Sequence, residues 1–199
     1  MPTLTIIMGP TFSGKTTLLK NILTNNKDFQ QLITNTTRPK RANEKNGIDY
    51  YFVSNQQYTA DKQNDIAVAP RTYHVQSGDY WHYYINANRL KELKHNTLMI
   101  TDLQGYYDTF DYLKAHPEIK IKLQGFILST NLMTIFKRVV SSDRNDENPR
   151  ETLRRLYDDE FNVFNFNDLD IQKLKDKYNV QIKSPREILN TLTEDNING

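Results

Sequence analysis

Cysteine is absent from the 199-residue chain. That excludes disulfide scaffolds, Cys-ligated zinc, iron–sulfur clusters and thiol nucleophiles in one step. An excess of either charge is also lacking: 26 Lys and Arg face 24 Asp and Glu, a net +2. A broad electrostatic grip on a nucleic-acid polymer is therefore not expected, although a local basic cluster stays open. No run approaches the roughly 18 apolar residues of a membrane span, and the opening MPTLTIIMGP has neither a basic flank nor a small-residue cleavage site. The expectation is a soluble cytoplasmic protein without a membrane partner, as a monomer or a homodimer. Glycine and proline are sparse at seven each, and no internal repeat is visible. What the chain does have is length enough for one well-filled core carrying small insertions.

The opening reads as strand, turn and helix. Leu4 to Met8 suits a central strand buried on both faces, and Lys15 to Leu23 carries Leu18, Leu19, Ile22 and Leu23 at helical spacing. Two further buried strands are expected at Leu98 to Thr101 and Gly125 to Leu128. The first is followed by Asp102 and a helix-compatible segment, the second by a helix capped by Thr130 and running through Arg138. Val180 to Ile182 and Pro185 to Leu192 repeat the pattern, with proline in a first helical turn. Strands alternating with helices predict an α/β protein whose parallel sheet is covered on both faces. Residues 34–85, polar and Tyr-rich, break the alternation and predict a small, mostly antiparallel insertion. Residues 141–151, SSDRNDENPRE, read as a mobile loop.

The strongest single signal is Gly9-Pro10-Thr11-Phe12-Ser13-Gly14-Lys15-Thr16, which fits G-x-x-x-x-G-K-[ST] and is followed by Thr17. Glycines let successive backbone N–H groups curl around a phosphate, and the following helix N-terminus adds partial positive charge. Lys15 is placed to reach the β- and γ-phosphates, and the Thr16 hydroxyl to ligate Mg²⁺. The string lies between a predicted buried strand and an amphipathic helix, as this mechanism requires, and predicts an ATP- or GTP-type site. No N-K-x-D base-reading motif is present, and the short chain leaves little room for a motor ATPase. A small-molecule kinase is the leading class.

A second anion clamp follows. Arg38 and Arg41 sit three apart on a Pro-restricted segment, with Tyr50 soon after. Two guanidinium forks and a phenol can surround a dianionic phosphate. The plainer alternative is a solvated basic loop, and the run as a whole tips the balance against it.

The string TTRPKRANEKNGIDYYFVS resembles the monophosphate-binding segment of the guanylate kinase family, T-T-R-x-x-R-x-x-E-x-x-G-x-D-Y-x-F-V-S. With GPTFSGKTTLL and Asp102-Leu103-Gln104-Gly105, similar to the family's D-x-Q-G, the resemblance spans essentially the whole chain. It implies a P-loop kinase core of parallel sheet flanked by helices, a small mixed or antiparallel monophosphate-binding insertion, and a mobile lid. The corresponding division is a core of residues 1–33 and 96–199, an insertion of 34–95 and a lid at about 141–156. The implied reaction is ATP plus GMP giving ADP plus GDP, with Mg²⁺. Residue by residue, the resemblance implies that Arg38, Arg41 and Tyr50 hold the monophosphate and that Thr34 touches the base. It puts Asp102 near the base and the water shell of Mg²⁺. Arg138, Arg144 and Arg155 are implied as lid arginines that neutralise the transferring phosphoryl group.

The match thins at the base. Phe12 stands where the family usually has Gly. Aligning on Gly78 puts Val75 where relatives carry a Glu that takes the guanine N1–H and 2-amino group, and Trp81, His82 and Tyr83 replace a Tyr-Gly-[TS] string. Ile100 stands where many relatives have another Asp. Trp81 offers either a stacking face or packing within the insertion. A buried carboxylate that accepts two N–H bonds discriminates strongly, so its loss should weaken guanine selection or redirect it. Three readings stand: a GMP or dGMP kinase, a kinase of another phosphorylated acceptor, and a non-catalytic binding module. The intact Lys15, Thr16 and arginines favour catalysis. The acidic run Asp158-Asp159-Glu160 is expected to face solvent.

Overall fold

The computed structural model describes residues 1–75, 78–141, 149–159 and 163–194, without the side chains of residues 149–151, 155 and 158. β1 (Thr3–Met8) has Leu4, Ile6, Ile7 and Met8 fully buried, as a strand covered on both faces must. A glycine-bounded loop leads into α1 (Lys15–Asn25), which buries Leu18, Leu19 and Ile22, and the chain then forms β2 (Phe29–Gln31). It leaves the main sheet for β3 (Asn35–Thr36), β4 (Tyr51–Phe52), α2 (Asn55–Gln63), β5 (Ala67–His74), β6 (Tyr80–Asn86) and α3 (Ala87–Lys91). It returns as β7 (Asn96–Ile100) and α4 (Leu103–Ala115), whose N-terminus is capped by the Asp102 carboxylate accepting the Gly105 amide. β8 (Lys122–Leu128), α5 (Leu132–Val140), α6 (Pro149–Asp158), α7 (Asp168–Tyr178), β9 (Val180–Lys183) and α8 (Pro185–Glu194) complete the described chain.

Five parallel strands form the main sheet in the order β2-β7-β1-β8-β9. One face packs Ile7, Leu98, Phe126 and Leu128 against α1 and α8 through Leu18, Ile22, Ile188 and Leu192. The other packs Leu4, Ile6, Met8 and Ile127 against Tyr106 of α4 and Leu174 of α7, and reaches Val68 and Ile85 of the second sheet. Gly125 is fixed by close approach: a Cβ there would lie 2.7 Å from Tyr106, 2.8 Å from Val180 and 2.9 Å from Met8. Among the described residues no helix is long and apolar enough to cross a membrane.

The α/β class and the covered parallel sheet are as expected, with differences in detail. β2 and α7 were not foreseen: FQQ is a three-residue edge strand, and DLDIQKLKDKY has one buried residue, Leu174, so neither shows a strong apolar period. The cap of α5 is Asn131, which accepts the Met133 amide, and not Thr130; the Thr130 hydroxyl instead donates to the Ser13 carbonyl. The second sheet, β4-β3-β6-β5, is mixed, since β3 and β4 pair parallel while β3–β6 and β5–β6 are antiparallel. Of the stretch expected as a loop, residues 142–148 lie outside the described chain, and helix α6 already begins at Pro149, a residue suited to a first helical turn.

Candidate functional site

The loop of residues 9–14 leaves the carboxyl end of β1 beside the carboxyl end of β7, which carries Asp102. This edge is where open parallel sheets place ligands. Gly9 (φ 143°) and Gly14 (φ 101°) supply backbone turns closed to other residues, and Gly14 opens α1. Phe12 is also left-handed at φ 61°, the position where a glycine would be free of strain. Lys15 folds back so that its ammonium donates to the Gly9 and Pro10 carbonyls, both at 2.7 Å. Arg138 of α5 donates through Nη1 to the Phe12 carbonyl at 3.0 Å and the Ser13 carbonyl at 2.7 Å. The Ser13 hydroxyl is buried and has no hydrogen-bond partner among the described residues. Thr16 and Thr17 are exposed on the first turn of α1. The loop thus combines two side-chain cations, an orphaned hydroxyl and a helix N-terminus, a donor set suited to phosphate.

The second cluster is built on the mixed sheet. Arg38 is only 5% exposed. Its Nε donates to the Tyr83 hydroxyl at 3.2 Å, Nη1 to the Pro39 carbonyl at 2.9 Å and Nη2 to Glu44 at 2.6 Å. Burial works against its charge, but Glu44 and Tyr83 outweigh that and hold its pKa above the ordinary value. Glu44 also accepts the Arg41 amide at 2.8 Å and so fixes the arginine segment from both sides. Tyr50 lies edge-on to Tyr83 and Phe52, with the Arg38 guanidinium 5.5 Å from its ring centre. Burial, then Tyr83, raises the Tyr50 pKa, so its phenol stays a hydrogen-bond donor.

A β-bulge joins this cluster to Asp102. Val68 pairs with Ile85 but Arg71 pairs with Tyr83, so β5 carries one extra residue, with Ala69 at φ 48°. The shift puts Arg71 and Tyr73 on the same face as Trp81 and Tyr83. Arg71 Nε donates to Asp102 at 3.0 Å and Nη2 to Asp108 at 2.8 Å, while Tyr73 donates to the other Asp102 oxygen at 3.2 Å. Burial first, and then the Asp102 charge, pushes the Tyr73 pKa up to about 12. The opposite face belongs to α2: Tyr58 stacks on His82 at 4.0 Å, and Tyr84 donates to the buried Asp61 at 2.5 Å.

The structure therefore brings Arg38, Arg41 and Tyr50 together, ties Asp102 to the insertion, and sets Arg138 on the phosphate loop. Trp81 shares the face of Tyr83 and pairs with Tyr73, half-buried. Thr34 sits between β2 and β3 with its carbonyl on the Tyr51 amide, and its hydroxyl makes no hydrogen bond among the described residues. Arg144 lies outside the described residues; Arg155 is on α6, but its side chain also lies outside them. Val75 closes the β5–β6 turn and carries no acid into the site. Asp159 corrects the expectation of a solvent-facing acidic run: its carboxylate accepts the Thr11 amide at 2.5 Å. Asp158 is described by its backbone alone, and Glu160 lies outside the described chain. Sequence reasoning missed Arg71, Tyr73, Tyr83 and Asp108 as site residues. The alternation of residues 71, 73, 81 and 83 was visible, but not the bulge that aligns them.

The guanylate kinase family model matches residues 1–74. The chain is 26% identical over 141 residues to the guanylate kinase of Helicobacter hepaticus, covering 71% of this chain and 67% of that protein. It is 23% identical over 143 residues to that of Legionella pneumophila, covering 72% of this chain and 65% of the other. Over 57 residues, 29% of the chain and 27% of the relative, it is 42% identical to the Lawsonia intracellularis guanylate kinase. The chain thus spans about two thirds or less of these relatives. The crystal structure of guanylate kinase from Anaplasma phagocytophilum superimposes with a TM-score of 0.56 over 97% of this chain and 83% of that one, at 16% identity.

Proposed function

We propose that the chain is a member of the guanylate kinase family, a reading supported by the family model over residues 1–74 and by the similar kinases, and that it transfers the γ-phosphoryl group of ATP to a nucleoside monophosphate, with GMP or dGMP as first acceptor. The observation that carries the reading is the presence of two anion sites: the phosphate loop with Lys15 and Arg138, and the Arg38–Glu44–Tyr50–Tyr83 cluster, which reaches Asp102 through Tyr73 and Arg71.

In this reading the backbone of Gly9 to Thr17 receives the triphosphate. Lys15 leaves the Gly9 and Pro10 carbonyls for the β- and γ-oxygens. Arg38, Arg41 and Tyr50 orient the acceptor phosphate, with Thr34 and Trp81 beside its nucleoside. An acceptor phosphate oxygen attacks the γ-phosphorus; that P–O bond forms as the bond to the bridging oxygen breaks, and the electron pair leaves on ADP. Lys15, Arg138, Arg144 and Arg155 neutralise the equatorial oxygens as charge spreads over them. The exposed Thr16 hydroxyl fits as one ligand of magnesium, which when bound neutralises and orients the β- and γ-phosphates. Asp102 Oδ1 accepts two hydrogen bonds and Oδ2 one, which leaves Oδ2 a lone pair for a magnesium-bound water. Residues 34–95 and a lid at about 141–156 would close over residues 1–33 and 96–199, excluding water from the transfer. The protein would act in the cytoplasm, as a monomer or a homodimer.

A coupled ADP-release assay with ATP, Mg²⁺ and a panel of nucleoside monophosphates tests this. ADP formation should require both Mg²⁺ and an added monophosphate and should fall about 10²–10³-fold in Lys15→Ala with the fold retained, the scale of losing a main charge-stabilising group. Robust turnover by folded Lys15→Ala would refute the site.

A further inference from the structure

Resting on the kinase reading, we infer that Arg71 reads the acceptor base, and that it selects a keto edge offering hydrogen-bond acceptors over a 6-amino edge. The bulge at Ala69 and Pro70 is what brings Arg71 to the site. Between Val68 and Arg71 the strand takes three steps against two on β6, so Arg71 faces Tyr83. In unbroken register it would face His82 and point toward α2.

From there the site runs in one line. Arg38, which takes the acceptor phosphate in the kinase reading, donates to Tyr83. Tyr83 pairs with Arg71 and lies edge-on to Tyr73 at 5.6 Å, and both Arg71 and Tyr73 reach Asp102. A nucleoside monophosphate anchored at Arg38 places its base against Tyr83, Tyr73 and Arg71.

The hydrogen-bond inventory decides what such a base must offer. Every carboxylate oxygen here already has a donor. Asp102 Oδ1 accepts from Arg71 and the Gly105 amide, and Oδ2 accepts from Tyr73; Asp108 Oδ1 accepts from Gln104, and Oδ2 from Arg71. Arg71 uses one N–H on each of Nε, Nη1 and Nη2, the last two toward Pro70 and Asp108. A guanidinium carries five N–H donors, so two are left for a ligand. The subsite therefore presents donors from a cation held flat by two carboxylates. A purine with O6 and N7 satisfies that fork, whereas a 6-amino group would set donor against donor and leave both unpaired. Asp102 Oδ2 and both Asp108 oxygens each accept a single hydrogen bond and keep a second lone-pair site, so the carboxylates do not decide between guanine and hypoxanthine, and the Arg71 fork decides between a keto and an amino edge.

The test compares kcat/KM for GMP, IMP and AMP with the whole chain and with Arg71→Gln. Wild type should use both GMP and IMP about a hundredfold better than AMP, as expected when one bidentate base contact is lost. Arg71→Gln should cut the GMP-to-AMP ratio by about tenfold or more while the KM for ATP stays unchanged. If Arg71 served only to brace Asp102, all acceptors would fall together and the ratios would hold. The inference is overturned by AMP turnover equal to GMP or to IMP, or by unchanged ratios in the variant. The wild-type ratios decide the matter even if the variant fails to fold. Folded, ATP-binding protein that turns over no monophosphate would instead overturn the kinase reading, and this inference with it.

Discussion

Replacing Glu44 by Ala probes the arginine clamp directly. Arg38 is 5% exposed, and Glu44 is the anion among its three hydrogen-bond partners. Removing one partner of a fully buried ion pair costs about 3–5 kcal/mol, because the other charge is left uncompensated. Glu44 is 16% exposed, and Arg38 keeps Tyr83 and the Pro39 carbonyl, so water and two neutral acceptors recover part of this. A loss of about 2 kcal/mol follows, or about 4–8 °C in melting temperature for a chain of this length. The pH dependence has a definite sign. The hydrogen bond from Arg38, helped by the Arg41 amide and the charges of both arginines, outweighs burial and holds the Glu44 carboxyl below its ordinary 4.5. A depressed carboxylate contributes stability that is full above the unfolded pKa and lost as pH falls through the lower folded value. Thermal unfolding of wild type and Glu44→Ala, followed by circular dichroism from pH 7 to pH 3.5, should show a gap that is constant above about pH 5 and narrows below about 4.5. A gap under 2 °C at pH 7, or one that persists undiminished at the acid end, would refute the reasoning.

Two further expectations rest on single contacts. Gly125→Ala drives a methyl into Tyr106, Val180 and Met8, and overpacking of this kind costs about 1–3 kcal/mol; a urea midpoint unchanged from wild type would mean that α4 can lift from β8 without penalty. Asp159→Asn removes an anion that holds the Thr11 amide of the phosphate loop, so the Kd for ATP, read by calorimetry, should fall about two- to tenfold with the loss of like-charge repulsion; unchanged or weaker binding would show that the contact does not compete with phosphate.

Residue pattern alone determined a good deal of this protein. The run at Leu4 to Met8 could be satisfied only by burial on both faces, and the loop after it needed Gly9 and Gly14 at left-handed φ, so strand, loop and helix were specified within a few residues of one another. Asp102 stood out through its D-x-Q-G string, and the structure adds that it caps the next helix. Arg38, Arg41 and Tyr50 lie within one short segment, and a local segment keeps its residues together whatever the rest of the chain does. Contacts over long sequence separations were set elsewhere. The weakly patterned β2 and α7 are held by the sheet and by Leu174 rather than by their own periodicity. Asp159 reaches Thr11 across 148 positions. Arg71 depends on the register of β5 against β6, where one bulged residue turns every later side chain to the other face. Sequence pattern specified the central segments of the two proposed phosphate clamps because each segment is built from neighbours along the chain, whereas Arg138 and Tyr83 join them only in the fold. The proposed base subsite was assembled by tertiary structure, because its members come from β5, β6 and the N-terminal end of α4 and meet only once the strands have chosen their register.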